Sequence, residues 1–111
     1  MNKAKIISPG TKVVVVGVGV SGRAAVRYAL ARGAEVAVSD LRSKEQLLAE
    51  EQDLLAAGGI EIEAGEHSYA FLGKADLLIV SPGIDLETNL FSRLREKGVR
   101  VFGELAFAAE E

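Results

Sequence analysis

The sequence predicts an α/β domain: a doubly wound sheet of five parallel strands, ordered 3-2-1-4-5, with helices on both faces. Two observations carry this. Uninterrupted apolar runs at 13–16 and 77–80 suit strands that are covered on both sides, as in a parallel sheet. Helix-period segments alternate with the strands almost throughout, and right-handed crossovers then wind those helices onto both faces.

The elements follow in order. Val13-Val14-Val15-Val16 is the first strand and stops at Gly17. A helix is expected over Arg23 to Arg32, with Ala25, Val26, Ala29 and Leu30 as its apolar stripe and Gly33 as its stop. Glu35 to Asp40 is the second strand. Ser43 with Gln46 three residues on matches a capping box, and the helix it opens carries Leu47, Leu48, Leu54 and Leu55 before ending at Gly58-Gly59. Ile60 to Ala64 alternates apolar and acidic residues, which suits a strand at the sheet edge. Leu77 to Val80 is the fourth strand, followed by a helix marked by Leu90, Phe91 and Leu94 that closes at Gly98, and Val99 to Phe102 is the fifth strand. From Gly103 to Glu111 the pattern reads either as the start of a longer helix or as a terminal helix docked on the sheet.

Composition narrows the function classes. With 111 residues, 49% hydrophobic and 26% charged, the chain suits a single domain over 1–111 with one core. A net charge of -3 offers no broad positive field, so nucleic acid is not an expected partner. Cysteine is absent and His67 is the lone histidine, which leaves no thiolate or histidine cluster for a metal. The N-terminus has no apolar core long enough for a signal peptide and no apolar run approaches a membrane span, so a cytoplasmic domain with no membrane partner is expected; a monomer is expected as well.

The chemistry concentrates in Gly17-Val18-Gly19-Val20-Ser21-Gly22, which lies between a strand and a helix, the setting of a Rossmann-like phosphate turn. Gly17 permits the tight turn, Gly19 lets phosphate oxygens approach the backbone, and Gly22 lets helix and sheet lie close. Free N–H groups and the positive end of the helix dipole would face the anion. Ser21 is expected as the helix N-cap, with its hydroxyl in reach of phosphate. A tight turn that binds nothing is the alternative.

Asp40 ends the second strand about twenty positions after the first glycine, where such folds put an acid that recognises a ribose diol or a base. An Asp that caps the next turn is the alternative. Arg42 adds a cation near phosphate or sugar, or else is a solvated loop arginine. Ser81-Pro82-Gly83 ends the fourth strand beside the first, at the crevice where open α/β sheets bind ligands, and Gly83 would let a ring or ribose pack on the backbone. A plain Pro-Gly turn is equally compatible with the spacing. His67 and Tyr69 are assigned to loop surface, and Glu50, Glu51 and Asp53 to the solvated side of a helix. No catalytic residues and no metal ligands are expected, because no paired carboxylates, no nucleophile with a base and no metal-ligand spacing occur.

The glycine turn, Asp40 with Arg42, Ser81-Pro82-Gly83-Ile84 and Gly103-Glu104-Leu105 together resemble the Mur ligases. The resemblance is specifically to the N-terminal domain of those members that join D-glutamate to UDP-N-acetylmuramoyl-L-alanine in peptidoglycan synthesis. It runs from about Lys12 to Phe107. The resemblance implies binding of the UDP moiety, with Val20 and Ser21 at the diphosphate, the segment Asp40, Leu41 and Arg42 at the uracil, and a backbone contact from Gly83. Leu41 departs from the small hydroxyl residue that relatives often carry. In the family, ATP and Mg2+ activate the substrate carboxylate in later domains. No GxxGK[ST]-type loop occurs here, so no cofactor and no ligase activity are expected of these 111 residues alone. A Rossmann domain that binds NAD, in a dehydrogenase or a regulatory sensor, is the alternative, with Asp40 on the adenosine ribose. A scaffold domain that binds neither nucleotide is a third.

Overall fold

A computed structural model describes residues 7–103. The expectation for the segment after Gly103, including Glu104 and Leu105, lies outside the described residues. The elements are β1 (Lys12–Val16), α1 (Val20–Ala31), β2 (Glu35–Asp40), a single 3-10 turn (Lys44–Gln46), α2 (Ala49–Gly58), β3 (Glu61–Ala64), α3 (Tyr69–Leu72), β4 (Leu77–Val80), α4 (Asn89–Lys97) and β5 (Arg100–Gly103). All strand pairs are parallel, and the order is β3-β2-β1-β4-β5, as the alternation of elements predicts.

The sheet divides the core in two because successive side chains of a strand point to opposite faces. On one face Val13 and Val15 of β1 and Ile79 of β4 pack with Val26 and Ala29 of α1 and Leu55 of α2. On the other, Val14, Val16, Leu78 and Val80 pack with Leu72 of α3 and with Phe91 and Leu94 of α4. The apolar runs of β1 and β4 are therefore buried along both faces, which is why they read as continuous rather than alternating. β3, with its exposed Glu61, is an edge strand as expected.

Three elements differ from the sequence reading. α1 begins at Val20, three residues earlier than expected, because the glycine turn needs only Gly17 to Gly19 to reverse the chain. The helix expected from Ser43 onward is broken: the turn Lys44–Gln46 is followed by extended backbone at Leu47 and Leu48 before α2 starts. That break lets Leu47 drop into the core while Leu48 stays 53% exposed, so the leucine spacing does not lie along one helix. The Gln46 half of the capping box forms, since its Oε1 accepts the Ser43 N–H at 2.8 Å. Finally, α3 lies where the sequence reading assigns no element and puts Tyr69 on loop surface, its start fixed by Ser68, whose hydroxyl accepts the Phe71 N–H at 3.2 Å.

Candidate functional site

Ladder hydrogen bonds run past the ends of the strands into the glycine turn. The Gly17 N–H donates to the Ser39 carbonyl at 2.8 Å, and the Ser81 N–H donates to the Val16 carbonyl at 2.9 Å. Gly17, Ser39 and Ser81 thus meet at the carboxyl end of β1, β2 and β4. This is the crevice where open α/β sheets admit ligands.

Two of the three glycines are fixed by the fold itself. Gly17 has φ +90, and a Cβ there would sit 2.7 Å from Ser81 Oγ. At Gly22 a Cβ would lie 2.2 Å from the Gly17 carbonyl oxygen, because the first turn of α1 passes directly over the turn that feeds it. Gly19 differs. It is the N-cap of α1, its φ of -75 is ordinary, and a Cβ there would meet nothing within 4 Å. The space beside Gly19 is open, and Gly19 caps the end of α1 at which the first N–H groups of a helix have no partner within the helix.

Ser21 is not the N-cap. It lies inside the first turn of α1, half-buried, and the cap residue Gly19 offers no side-chain hydrogen bond. Its neighbour Val20 is 76% exposed. A cap at Ser21 would have required the helix to start later than the turn allows.

Asp40 is buried, and both of its oxygens are engaged. Oδ2 accepts the Val18 N–H at 2.8 Å and an Arg42 guanidinium N–H at 3.0 Å. Oδ1 accepts the Arg42 backbone N–H at 2.9 Å and its Nε–H at 3.0 Å. Burial pushes this carboxyl up. The Arg42 guanidinium and the Val18 and Arg42 backbone N–H groups more than offset that and hold it below its ordinary value. Arg42 is likewise held above its ordinary value, first by its bond to Asp40, against desolvation, and then by Glu51. The fork geometry of guanidinium on carboxylate accounts for the strength of the pair.

The sequence reading leaves Arg42 open as a solvated arginine and puts Glu51 on a solvated face; the structure corrects both. Glu51 is 1% exposed, and its Oε1 accepts from Arg42 at 3.1 Å and from the Leu48 N–H at 2.8 Å. Glu50 is exposed and pairs with Arg23 at 3.1 Å, so the solvated assignment holds for it, as it does for exposed Asp53. The signal for Glu51 lay in its place three residues after Leu48, where a carboxylate can reach back to the N–H that opens a helix.

His67 is also more than loop surface. Its Nδ1 lies 2.7 Å from the hydroxyl of buried Ser39, which in turn donates to Glu63 Oε1 at 2.9 Å. Glu63 also accepts from the Ser68 hydroxyl and from the Ser68 N–H, the latter at 3.0 Å. Desolvation lowers the His67 pKa, outweighing the opposite pull of Asp40 and Glu63. The polar Ser39, directly after the apolar Val36-Ala37-Val38 of β2, is the signal for this cluster. The loop that carries it is tied down by the Gly65 N–H, which donates to the carbonyls of Asp40 at 2.8 Å and Arg42 at 3.1 Å.

Leu41, between Asp40 and Arg42, is 64% exposed. Gly83 is exposed, and a Cβ there would meet nothing within 4 Å. Ser81 is half-buried beside Gly17. Among the described residues no group of three His, Asp or Glu side chains is arranged to hold a metal, and no helix is long and apolar enough to cross a membrane.

Comparison with known proteins bears on this geometry. The family model for the Mur ligase MurD-like N-terminal domain matches residues 11–103. A UDP-N-acetylmuramoylalanine--D-glutamate ligase of Desulfotalea psychrophila is 46% identical over 109 residues, covering 98% of this chain and 24% of that protein. The ligase of the same name from Acidobacterium capsulatum is 43% identical, covering 90% of this chain and 22% of that protein. The chain therefore spans about a quarter of the length of these relatives. Among solved structures, a pseudomurein peptide ligase type C from Methanothermus fervidus superposes with a TM-score of 0.71 at 22% identity, covering 92% of this chain and 20% of that one. An L-tryptophan dehydrogenase from Nostoc punctiforme has a TM-score of 0.60 at 17% identity, over 94% of this chain and 37% of that one, a likeness of fold alone. With its model matched from β1 through β5 and relatives this similar along nearly its whole length, the chain belongs to the MurD-like N-terminal domain family of Mur ligases.

Proposed function

We propose that these 111 residues form one domain that binds the UDP moiety of UDP-N-acetylmuramoyl-L-alanine, as the N-terminal part of an ATP-dependent ligase that adds D-glutamate in peptidoglycan synthesis. The observation that carries the reading is the open space over Gly19 at the start of α1, in a turn whose other two glycines are required by packing. A diphosphate in that space would meet the N–H groups of Val20 and Ser21 and the positive end of the helix. Leu41 and Gly83 would flank the uridine, Gly83 through its bare backbone. The part of the site formed by Gly17, Gly22, Asp40, Arg42 and Ser81 would hold this shape from behind.

The same observations weigh against NAD. A ribose diol recognised by Asp40 needs free carboxylate oxygens, and both are committed to Val18 and Arg42. Arg42 carries no surplus positive charge for a phosphate, since two carboxylates share it. ATP and Mg2+ act, in this reading, on the part of the ligase that this chain does not span. The domain works in the cytoplasm as a monomer, without a nucleic-acid or membrane partner.

The test is a heteronuclear NMR titration with UDP-N-acetylmuramoyl-L-alanine, UDP and NAD. Shifts at Val20, Ser21, Leu41 and Gly83 with both uridine ligands, and little with NAD, are expected. A preference for NAD would overturn the reading.

A further inference from the structure

We propose that Glu51 is a positioning residue for the glycine turn, acting through Arg42 and Asp40. The contacts form one continuous chain. Glu51 Oε1 holds Arg42 at 3.1 Å, the Arg42 guanidinium gives Nε–H and a terminal N–H to the two oxygens of Asp40 at 3.0 Å each, and Asp40 Oδ2 takes the Val18 N–H at 2.8 Å. The start of α2 is thereby tied to the turn that opens α1. That this shapes a nucleotide site rests on the reading above; that it shapes the turn does not.

Charge balance argues for a positioning role. One guanidinium balances one carboxylate, and Asp40 already supplies it, so Glu51 is a second carboxyl group on the same Arg42. Glu51 is 1% exposed, and the desolvation of a buried carboxyl group offsets much of what pairing returns, so the contact is weak evidence for stability alone. What the second carboxylate adds is geometry. Arg42 has a long side chain, 35% exposed, that could swing out into water. With its far edge held by Glu51, the guanidinium plane stays aligned with the Asp40 carboxylate, and the carboxylate stays aimed at Val18. Glu51 is itself held by the Leu48 N–H at 2.8 Å, so its position is set by the backbone at the start of α2.

The test follows the Val18 amide by NMR in the full chain, with UDP titrated in parallel. In Glu51→Ala the Val18 amide proton should move upfield and exchange several-fold faster. Glu51→Gln, which still accepts from Arg42 and Leu48, should restore most of both. In an Arg42→Ala background Glu51→Ala should change the Val18 amide no further. UDP should bind several-fold more weakly to Glu51→Ala and near normally to Glu51→Gln. An unmoved Val18 amide in folded Glu51→Ala, or effects of the Glu51 and Arg42 changes that simply add, would overturn the proposal. Should Glu51→Ala not fold, Arg42→Lys decides: it keeps the charge without the planar fork, and a Val18 amide unmoved in that variant overturns the proposal equally. If the unaltered chain ignores UDP while Val18 still follows Glu51, the nucleotide reading fails and the positioning role stands.

Discussion

The Val18 N–H points into the carboxylate of Asp40, at 2.8 Å and 22 residues away in sequence. Val18 is fully buried in the middle of the glycine turn, where its N–H has no strand to pair with, and Asp40 supplies the acceptor. An unpaired buried N–H is costly, so this bond is part of what makes the turn a stable structure. It also changes the role of the acid at the end of β2 from a group that waits for a ligand to one that shapes the turn.

Asp40→Asn should therefore destabilise the fold by about 1.5–3 kcal/mol at pH 7, the usual range for hydrogen bonds to a charged group. The folded pKa of Asp40 is depressed. Its contribution is thus present above the unfolded value of about 3.9 and is lost as pH falls through the folded value. Urea denaturation at several pH values should show the gap between variant and parent closing below about pH 4. A gap that persists unchanged into acid would contradict this.

Gly22→Ala and Gly19→Ala should separate folding from binding. At Gly22 the new Cβ would lie 2.2 Å from a carbonyl oxygen, and the backbone must move, at a cost of about 1–3 kcal/mol or more. At Gly19 the methyl enters open space, so thermal stability should hold while UDP affinity drops. Calorimetry on both variants checks the pair. Equal stability losses would show that Gly19 is as confined as Gly22.

His67 should give the domain a second pH dependence. Its pKa is lowered by desolvation in the fold, so the unfolded chain takes up a proton first as pH falls. The stability tied to neutral His67 is complete above the unfolded value of about 6.5 and declines below it, until the folded value is reached. Glu63 and Asp40 are the charged groups whose fields oppose this, and Ser39 is the hydrogen-bond partner at Nδ1. His67→Asn should flatten the stability profile just below about pH 6.5. A variant with an unchanged slope there would exclude His67 as its source.

Leu94→Ala tests the face away from α1. Leu94 is fully buried against the sheet with Phe91 and Leu78. Its truncation should cost about 2–5 kcal/mol by chemical denaturation while the UDP-dependent shifts at Val20 persist in the folded fraction. Loss of those shifts would mean that the two halves of the core are coupled through the sheet.

Most of the architecture is legible in the sequence, because apolar runs, glycine stops and the alternation of strand and helix are local signals. The alternation of five strands with helices yields the sheet order, and Val13–Val16 and Leu77–Val80, each ending at a turn, place β1 beside β4. Local signals also misled where two elements compete for one stretch. The leucines after Gln46 suggest a continuous helix, yet Leu47 is drawn into the core and breaks it.

Which polar groups meet is a matter of three-dimensional packing. The place of Glu51 three residues after Leu48 signals its bond to the helix start, but no local signal shows that its other partner is Arg42 while Glu50 is exposed beside Arg23. Ser39, Glu63 and His67 come from two strands and a loop. Hydrogen bonds and ion pairs act over about 3 Å, so they depend on how distant segments are brought together. The sheet, the glycine turn and the family are written along the chain. That Asp40 and Arg42 brace the glycine turn follows instead from the contacts that Glu51 of α2 and Gly65 of the β3–α3 loop make at the end of β2.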